Sequence, residues 1–432
     1  MSSIHVHVEH LTRVEGHGNI VLNAQNGKVE KIEWQVPEAP RFFESFVRGR
    51  PYTELSHLTS RICGICSIGH SLASLKATEA ALGIKISEQT QMLRRLALHG
   101  ENLQSHVLHL GYLVAPDLLG KDSVFPLVAT HKAEVLKIVK LHRLANEMSD
   151  LLCGRTTHPI TFAPGGFTKV PTEKQLEEVR NRLAYAVPDV EAVAEVILAN
   201  AGKLPAFQRD TEYIGLVSKK EYALYDGDVG STDTGKHKVD DYKNIVNEFL
   251  VPHSTAKFCK HNRASYMVGA LARFNLNYEL LSPMAKKWAG KFGLKPKCTN
   301  PYMNNVAQLV EIFHSAEDTL ALIDKLISSG VKEEKPAMVK LKAGRGVGAV
   351  EVPRGILFHD YTYDAKGICT KANCVIPTNQ NHMNIQLDME ALAPTILNKS
   401  EKEIELTLEM LVRAYDPCIS CSTHYLKVDL KK

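Results

Sequence analysis

Two short stretches, Arg61-Ile-Cys63-Gly-Ile-Cys66 and Asp416-Pro-Cys418-Ile-Ser-Cys421, decide how this chain must fold. Each contains a Cys-x-x-Cys turn, which can present two thiolates to one ion. Two such turns supply the four soft ligands that zinc, iron and nickel accept. Zinc modules usually hold their pairs about 15–20 residues apart, whereas these pairs lie near opposite ends of the chain. The spacing leaves open a structural zinc site, a catalytic metal site, a redox pair or coincidence.

The residues beside the two pairs favour a catalytic metal. Cys66 comes just before a predicted helix, whose N-terminal dipole favours a thiolate. His70 follows one turn later and could donate to a cysteine sulfur. Pro417 keeps the second pair out of a helix, His424 follows that pair, and Arg13-Val-Glu15-Gly-His17 adds a charge cluster near the N-terminus. A structural zinc site needs none of these accessories.

Composition excludes several classes of protein. The 432 residues are 44% hydrophobic and 23% charged, with a net charge of +4, which excludes collagen, coiled coils, disordered tails and disulfide-dense mini-proteins. The basic excess is dispersed, so we expect no nucleic-acid partner. No apolar run reaches the roughly 18 residues of a membrane span. The N-terminus does not read as a signal peptide, so any export would need a partner's signal.

The hydrophobic pattern predicts one domain over residues 1–432, mainly α with minor β (α+β). Residues 1–36 read as β, with Asn26-Gly27 predicting a hairpin. Residues 66–330 read as a helical core, 331–400 as a loop- and strand-rich region, and 401–432 as a C-terminal helix and metal-binding tail. The five cysteines outside the two pairs are expected to be small buried hydrophobes.

Several local predictions follow from this pattern. Helices are expected at residues 67–82, 87–114, 130–152, 315–329 and 402–414, and Thr172 with Gln175 forms a capping box. Pro188 should break or kink the helix that follows this box. Residues 211–240 look like a surface insertion. Gly344-Arg-Gly346-Val-Gly348 is expected to be a turn leading to Arg354 rather than a nucleotide loop, because it lacks a strand–helix frame.

The motifs together resemble the large, catalytic subunit of nickel–iron hydrogenases. The matching pieces run in order along the whole chain: Arg13–His17, the two cysteine motifs, His158-Pro-Ile-Thr-Phe-Ala-Pro164, Val352-Pro-Arg354-Gly, Val375-Ile-Pro377-Thr378 and His424. The resemblance implies that family's fold, a helical bundle core with an N-terminal hairpin. It also implies reversible heterolytic cleavage of H2 to protons and electrons.

In that family four cysteines bind nickel, and two of them bridge to an iron that carries CO and two cyanides. The resemblance implies that Cys63 and Cys418 are the nickel-terminal thiolates and that Cys66 and Cys421 are the bridges. A terminal thiolate can take a proton as H2 splits. Thiolates also suit a nickel ion of low redox potential.

The resemblance assigns further residues around this centre. Arg354 would overhang the site with support from Asp416, while Thr378 and the backbone at Pro377 would hold the cyanides. One departure concerns charge, because the family often has Asp where this chain has Ser105.

The resemblance also implies a proton relay and a second metal. Glu15 would carry protons from a cysteine toward the exterior; an ion pair with Arg13 is the alternative. A magnesium ion would take Glu44, His424 and a backbone carbonyl, here at Cys374. Maturation by an endopeptidase would remove Tyr425–Lys432.

The short chain resembles the cytoplasmic, cofactor-coupled branch of the family. Because the sequence has no further cysteine cluster, electrons should leave through an iron–sulfur small subunit. Further electron-transfer subunits would reduce NAD(P), ferredoxin, coenzyme F420 or a heterodisulfide. Two alternatives stay open at this point: a metal-free structural subunit like that of the respiratory NADH dehydrogenase, and a zinc-stabilised scaffold.

Overall fold

The computed structural model describes residues 3–423. In all, 50% of the structure is helical and 18% is strand, which confirms the prediction of a mainly α chain with minor β. The helices are α1 (Phe43–Val47), α2 (Leu55–Thr59), α3 (Ser67–Leu82), α4 (Glu88–Leu108), α5 (Ala115–Leu119), α6 (Leu127–Thr130), α7 (Lys132–Cys153), α8 (Glu173–Asn200), α9 (Ala270–Asn277), α10 (Pro283–Lys291), α11 (Asn304–Ser329), α12 (Pro377–Ile396) and α13 (Glu401–Ala414).

The strands form small separate sheets around the helices. They are β1 (Ser3–Val8), β2 (Asn19–Gln25), β3 (Lys28–Gln35), β4 (Phe162–Ala163), β5 (Gly166–Phe167), β6 (Glu212–Val217), β7 (Asp228–Ser231), β8 (Gly235–His237), β9 (Asn247–Phe249), β10 (Phe258–Lys260), β11 (Tyr266–Met267), β12 (Gly344–Val352), β13 (Gly355–Tyr363) and β14 (Cys369–Val375). The three-stranded sheets run β1-β2-β3 and β12-β13-β14, and the four-stranded sheet runs β11-β6-β7-β8.

The N-terminal sheet confirms the hairpin prediction. Strands β2 and β3 pair antiparallel around Asn26 and Gly27, and both turn residues have positive φ, at 52° and 73°. Asn and Gly tolerate this left-handed conformation better than other residues do. Trp34 on β3 is fully buried, so the sheet is attached to the rest of the chain through its inner face.

Helix α3 lies directly on strand β12 because the strand offers glycine at every second position. An added Cβ would lie 2.3 Å from the carbonyl oxygen of Ala77 at Gly346, and 2.1 Å from that of Ala73 at Gly348. No real side chain fits at these distances, so the close approach requires glycine. The prediction of a turn at residues 344–348 was therefore wrong, because these residues form a strand whose glycines admit a helix backbone.

The contact between α3 and β12 continues to the end of the strand and positions the centre. The Cβ of an alanine at Gly69, in the first turn of α3, would lie 2.0 Å from Cγ1 of Val352. Cys66 precedes that first turn, and Arg354 follows Val352 by two residues. The glycine-lined contact thus brings two motifs that are far apart in sequence to one place.

Other predictions needed correction. Residues 211–240 form a surface segment only in part, because every residue of β6 is buried whereas residues 232–236 are exposed. The helix predicted at 315–329 begins at Asn304. Helix α8 runs through Pro188, so the predicted break is wrong and the kink stays a prediction. The loop- and strand-rich region 331–400 contains the 20-residue helix α12. Its first turns carry Asn and Gln side chains that are buried and hydrogen-bonded. The helix therefore lacks the apolar periodicity by which a helix is recognised in a sequence.

None of the helices within residues 3–423 combines the length and apolar character required to span a bilayer.

Candidate metal centre

The two cysteine motifs meet in the interior. The sulfurs of Cys63, Cys66, Cys418 and Cys421 all lie within 4.8 Å of one another, and each residue is at most 3% exposed. Sγ of Cys63 is 3.5 Å from Sγ of Cys418, which in turn is 2.6 Å from Sγ of Cys421. Within the described part of the chain this is the one group of three or more Cys, His, Asp or Glu residues with such geometry.

The first cysteine loop (residues 61–66) lies at the molecular surface. Cys63 has extended backbone, and its sulfur accepts a hydrogen bond from the Cys66 backbone N–H at 3.0 Å. Gly64, between the two cysteines, is exposed, as is Arg61. Cys66 directly precedes α3, so its thiol lies at the positive end of the helix dipole. The loop therefore points its sulfurs inward while its backbone faces outward.

The second cysteine loop (residues 416–421) is buried and has irregular backbone. Asp416 adopts a left-handed conformation (φ 49°), and Pro417 follows it. The Cys418 backbone N–H donates to Oγ1 of Thr378 at 3.0 Å. Thr378 lies in the first turn of α12, whose N1 position is Pro377. The N-terminus of a helix thus faces the second loop, which favours anionic groups there.

Arg41 joins the two loops, a role that sequence analysis missed. Its guanidinium donates to the backbone carbonyl of Ile62 at 2.7 Å and also to that of Ser420. Its backbone N–H donates to the carbonyl of Thr423. An arginine can reach several carbonyls at once because it carries five donors in a fixed plane. No sequence motif identifies Arg41, because its hydrogen-bond partners are backbone atoms.

The protonation of the four thiols favours a bound divalent metal ion over four thiols without one. Burial acts to raise the pKa of Cys63, but hydrogen bonds from Cys418 and the other thiols lower it well below its ordinary value. Hydrogen bonds from Cys421 and Cys63 raise the pKa of Cys418 well above its ordinary value. The four cannot ionise together without added positive charge, which a soft divalent metal ion supplies.

Arg354 is held beside this cluster by Asp416. Its Nε donates to the Asp416 backbone carbonyl at 2.7 Å, and one terminal nitrogen donates to the carboxylate at 2.9 Å. Its other terminal nitrogen lies 3.3 Å from Oγ of Ser105. Both Arg354 and Asp416 are 3% exposed. Serine therefore contacts the guanidinium in the place where the family often has Asp, and Asp416 is the carboxylate that neutralises it.

A buried ion cluster fixes the turn that carries Arg354. Arg273 donates to the backbone carbonyls of Val352 and Pro353 at 2.9 and 3.0 Å. The same guanidinium binds Glu311 with two hydrogen bonds and Glu351 with one. Arg273 is 0% exposed. Its sequence neighbourhood contains no motif, so the only available signal was a charged residue on an otherwise apolar helix.

Glu15 contacts both a sulfur and the exterior. Its Oε2 lies 3.2 Å from Sγ of Cys418 and accepts the Ser420 backbone N–H at 3.1 Å. The residue is half-buried. The alternative of an ion pair with Arg13 is wrong, because Arg13 pairs with Asp117 at 2.6 Å. A carboxylate in this position can exchange a proton with the sulfur and with groups nearer to solvent.

Two buried groups lie behind the first loop. Nδ1 of His70 is 3.1 Å from Nε2 of His359, whose Nδ1 is 2.5 Å from the hydroxyl of Tyr361. The donation of His70 to a cysteine sulfur stays a prediction. Glu101 accepts hydrogen bonds from the backbone N–H groups of Ile68 and Gly69 at the start of α3. Burial raises the pKa of Glu101 to about 8. Sequence analysis missed Glu101, and its place one turn before Ser105 is a signal that could have found it.

Only some of the predicted magnesium ligands lie among the residues that the structure describes. Glu44 on α1 is 4% exposed and accepts the Cys374 backbone N–H at 3.3 Å, so this carboxylate and that backbone are indeed brought together. His424, and the segment 425–432 expected to be removed on maturation, lie outside the described residues. The magnesium site and the processing step stay predictions.

Comparison with known proteins identifies the family. The family described as nickel-dependent hydrogenase matches residues 41–137 and 211–424. The chain belongs to this family. The alpha subunit of sulfhydrogenase 2 from Pyrococcus furiosus is 32% identical over 98% of this chain and 100% of its own length. A relative from Methanococcus voltae, which belongs to the F420-non-reducing hydrogenase vhc, is 31% identical over 96% of this chain and 94% of its own.

A solved structure places this hydrogenase chain in the same fold. A chain in the H2-reduced NAD+-reducing [NiFe]-hydrogenase superposes with a TM-score of 0.87 at 28% identity, covering 97% of this chain and 99% of its own. The chain is the large, catalytic subunit of a nickel–iron hydrogenase, an oxidoreductase acting on H2. Nickel and iron are the cofactors this implies, and the buried thiols are the matching donor set. The metal-free and zinc-scaffold alternatives are not favoured.

Proposed function

We propose that this hydrogenase subunit cleaves H2 heterolytically and reversibly with Cys63 and Cys418 as nickel-terminal ligands and Cys66 and Cys421 as bridges to Fe(CN)2CO. The observation that carries the proposal is a cluster of four buried sulfurs with a guanidinium and a carboxylate beside it. When bound, the dinuclear centre supplies the metal that polarises H2 and accepts its electrons. The chain's own residues then orient, stabilise charge and move the proton.

Arg354 is the electrostatic group of this proposal. Two hydrogen bonds to Asp416 hold the guanidinium in one orientation. Although burial acts to lower it, Asp416 and the cysteines keep the pKa of Arg354 well above its ordinary value, so the group stays charged. A fixed charge in a dry site acts strongly because it needs no reorganisation during the reaction. The N-terminus of α12 at Pro377 and Thr378 would receive the cyanides.

Glu15 is the proton carrier of this proposal. Its carboxylate is in contact with the Cys418 sulfur, and it can pass a proton outward. Other polar groups on the same side of the second loop reach the surface. Ser420 Oγ lies 3.1 Å from the Glu38 carboxylate, which is 3.1 Å from Nδ1 of His17, and that imidazole is 64% exposed. We assign the proton exit to this side of the second loop.

The electrons leave on the side of the first loop in this proposal. No second ligand cluster exists within residues 3–423, so an electron acceptor must bind from outside. Gly64, between Cys63 and Cys66, is exposed, so a partner that covers it would lie close to the sulfurs. We assign this face to an iron–sulfur small subunit of an electron-transfer complex, which would pass electrons to further subunits. The same proposal includes a magnesium ion at Glu44 and a cytoplasmic location.

The variant Glu15→Gln tests the proton route. Glutamine keeps the size and the Ser420 hydrogen bond but cannot carry a proton. Nickel and iron content should stay at wild-type values, while exchange of D2 with water slows by about 10²-fold or more. Exposed Glu9 is the matched control, since Glu9→Gln should exchange at the wild-type rate. Equal exchange rates in Glu15→Gln and the wild type would place the proton exit elsewhere.

A further inference from the structure

His109 lies where α4 gives way to a π-helical turn (His109–Val114). Such turns are rare and often found at functional sites. The imidazole is 1% exposed. Its Nε2 is 2.8 Å from the backbone carbonyl of Arg413, and its Nδ1 is 2.6 Å from Oε1 of Gln308. Both ring nitrogens therefore have a defined partner.

The partners determine where the protons are. A backbone carbonyl only accepts, so Nε2 of His109 must carry a hydrogen. Gln308 donates from Nε2 to the Asp416 carboxylate at 3.1 Å. Turning this amide over would set its oxygen against the carboxylate, so Asp416 fixes the orientation of Gln308. The amide oxygen then faces His109 and only accepts, so Nδ1 must carry a hydrogen as well.

The surroundings suit a positive charge at this point. The Arg413 carbonyl belongs to the last turn of α13, and the C-terminal end of a helix stabilises cations. The Asp416 carboxylate lies 3.9 Å from Nε2 of His109. The other nearby charges are neutralised elsewhere: the Arg413 guanidinium binds Asp117 and Glu409, and Glu311 on α11 binds Arg273 and His106.

We propose that His109 is an imidazolium that, through Gln308, positions the Asp416 carboxylate under Arg354. Asp416 then lies between two cations, one beside the metal centre and one behind it. Ser105, one turn before His109 on α4, carries no charge, so this pair of cations shares a single carboxylate. His109 touches no reacting atom and is a positioning residue. The inference rests on the proposed role of Arg354.

Neutron diffraction from crystals of the holoenzyme complex in D2O tests the charge directly. Two deuterons on the His109 ring are expected, and a single deuteron would overturn the proposal. This readout does not depend on turnover, so it can fail while the Glu15 exchange test succeeds, and the reverse also holds. Because it uses the wild-type chain, it also needs no variant to fold.

The variant His109→Asn tests the consequence. Asparagine can still donate to Gln308 but carries no charge. We expect wild-type nickel and iron content, and H2 oxidation about tenfold slower with unchanged KM. The CO and CN stretching frequencies should fall, because a nearby positive charge is lost. The matched control is His142→Asn, whose ring packs edge-on against Tyr112 and whose spectrum and rate should stay wild-type. An unshifted spectrum in His109→Asn would show that His109 has only a packing role and would overturn the proposal.

Discussion

The two cysteine loops supply the same ligands from opposite kinds of environment. The first loop lies at the surface, where Arg61 and Gly64 are exposed, and a regular helix follows it. The second loop is buried, has irregular backbone, and contacts Glu15, Thr378 and the Arg354–Asp416 pair. In the proposed function, the metal centre therefore has one side covered by little protein, where electrons would leave, and another side lined by groups that would stabilise charge and carry protons.

Removing a ligand from the buried loop should have the largest effect. In Cys418→Ser a hard hydroxyl replaces a soft thiolate, so nickel and iron should fail to load and H2 turnover should be lost. Metal analysis of the purified complex and a hydrogen-uptake assay check this. Cys298 is the control, because it lies outside the cluster and Cys298→Ser should keep both metals. An active Cys418→Ser enzyme that holds nickel would contradict the assignment.

Changing the charge-stabilising group should come next. Arg354→Lys keeps the positive charge but cannot reach the Asp416 carbonyl and carboxylate together, because lysine lacks the planar fork. Both metals should be retained while kcat falls about 10²–10³-fold. Arg345, which binds Asp360 near the surface, is the control, and Arg345→Lys should run at the wild-type rate. Wild-type turnover in Arg354→Lys would remove this residue from the site.

The helix behind the first loop can be disturbed through its glycine contact. Gly348→Ala places a methyl group 2.1 Å from the Ala73 carbonyl oxygen, a backbone atom that cannot move aside. The free energy of unfolding should fall by about 1–3 kcal/mol or more, and the melting temperature measures this. Gly64→Ala is the control in the first loop itself, since its Cβ meets nothing within 4 Å. If the two variants melt alike, the helix does not depend on this contact.

The imidazole that supports the second loop should have no effect near neutral pH, and it should lower stability only as the solution becomes acidic. Nε1–H of Trp34 donates to Nδ1 of His382, whose Nε2 faces Oγ of Ser422, so the imidazole must be neutral. Burial lowers its pKa to about 3. As the pH falls below about 6.5, the unfolded chain binds a proton that the folded chain does not. Stability should then drop by about 1.4 kcal/mol per pH unit.

Urea unfolding of the wild type and His382→Gln at several pH values checks this dependence. The variant should lose less stability on acidification, because glutamine provides an acceptor and a donor without titrating. Exposed His7 is the control, and His7→Gln should follow the wild type. Equal acid sensitivity in the wild type and His382→Gln would show that this imidazole is not held neutral.

Sequence reading succeeded where the signal is local. The Asn26-Gly27 hairpin, the Thr172 capping box and both cysteine turns depend on neighbouring residues and were found. It failed where both faces of an element are buried. Strand β6 shows no alternation for this reason. Helix α12 buries the polar run Asn379–Asn381, whose side chains donate hydrogen bonds to backbone carbonyls.

Prediction from sequence has the same limit for the residues around the metal centre. The resemblance to hydrogenases named the cysteines and Arg354, whose motifs can be read directly. It did not name Arg41, Arg273 or His109, because their hydrogen-bond partners lie hundreds of positions away or in a turn of another element. Such side chains carry no local pattern, and only the folded chain shows what they hold.

The pairing of Glu15 with the second loop has a consequence for biosynthesis. The Ile419 backbone N–H donates to the Glu15 carbonyl, and Cys418 lies 355 positions after Cys63. A nascent chain that has not yet reached Cys418 carries only two of the four ligand thiols and cannot form the cluster. Both loops must be made before the four sulfurs can meet, so the site depends on contacts between residues far apart in sequence, which form slowly during folding.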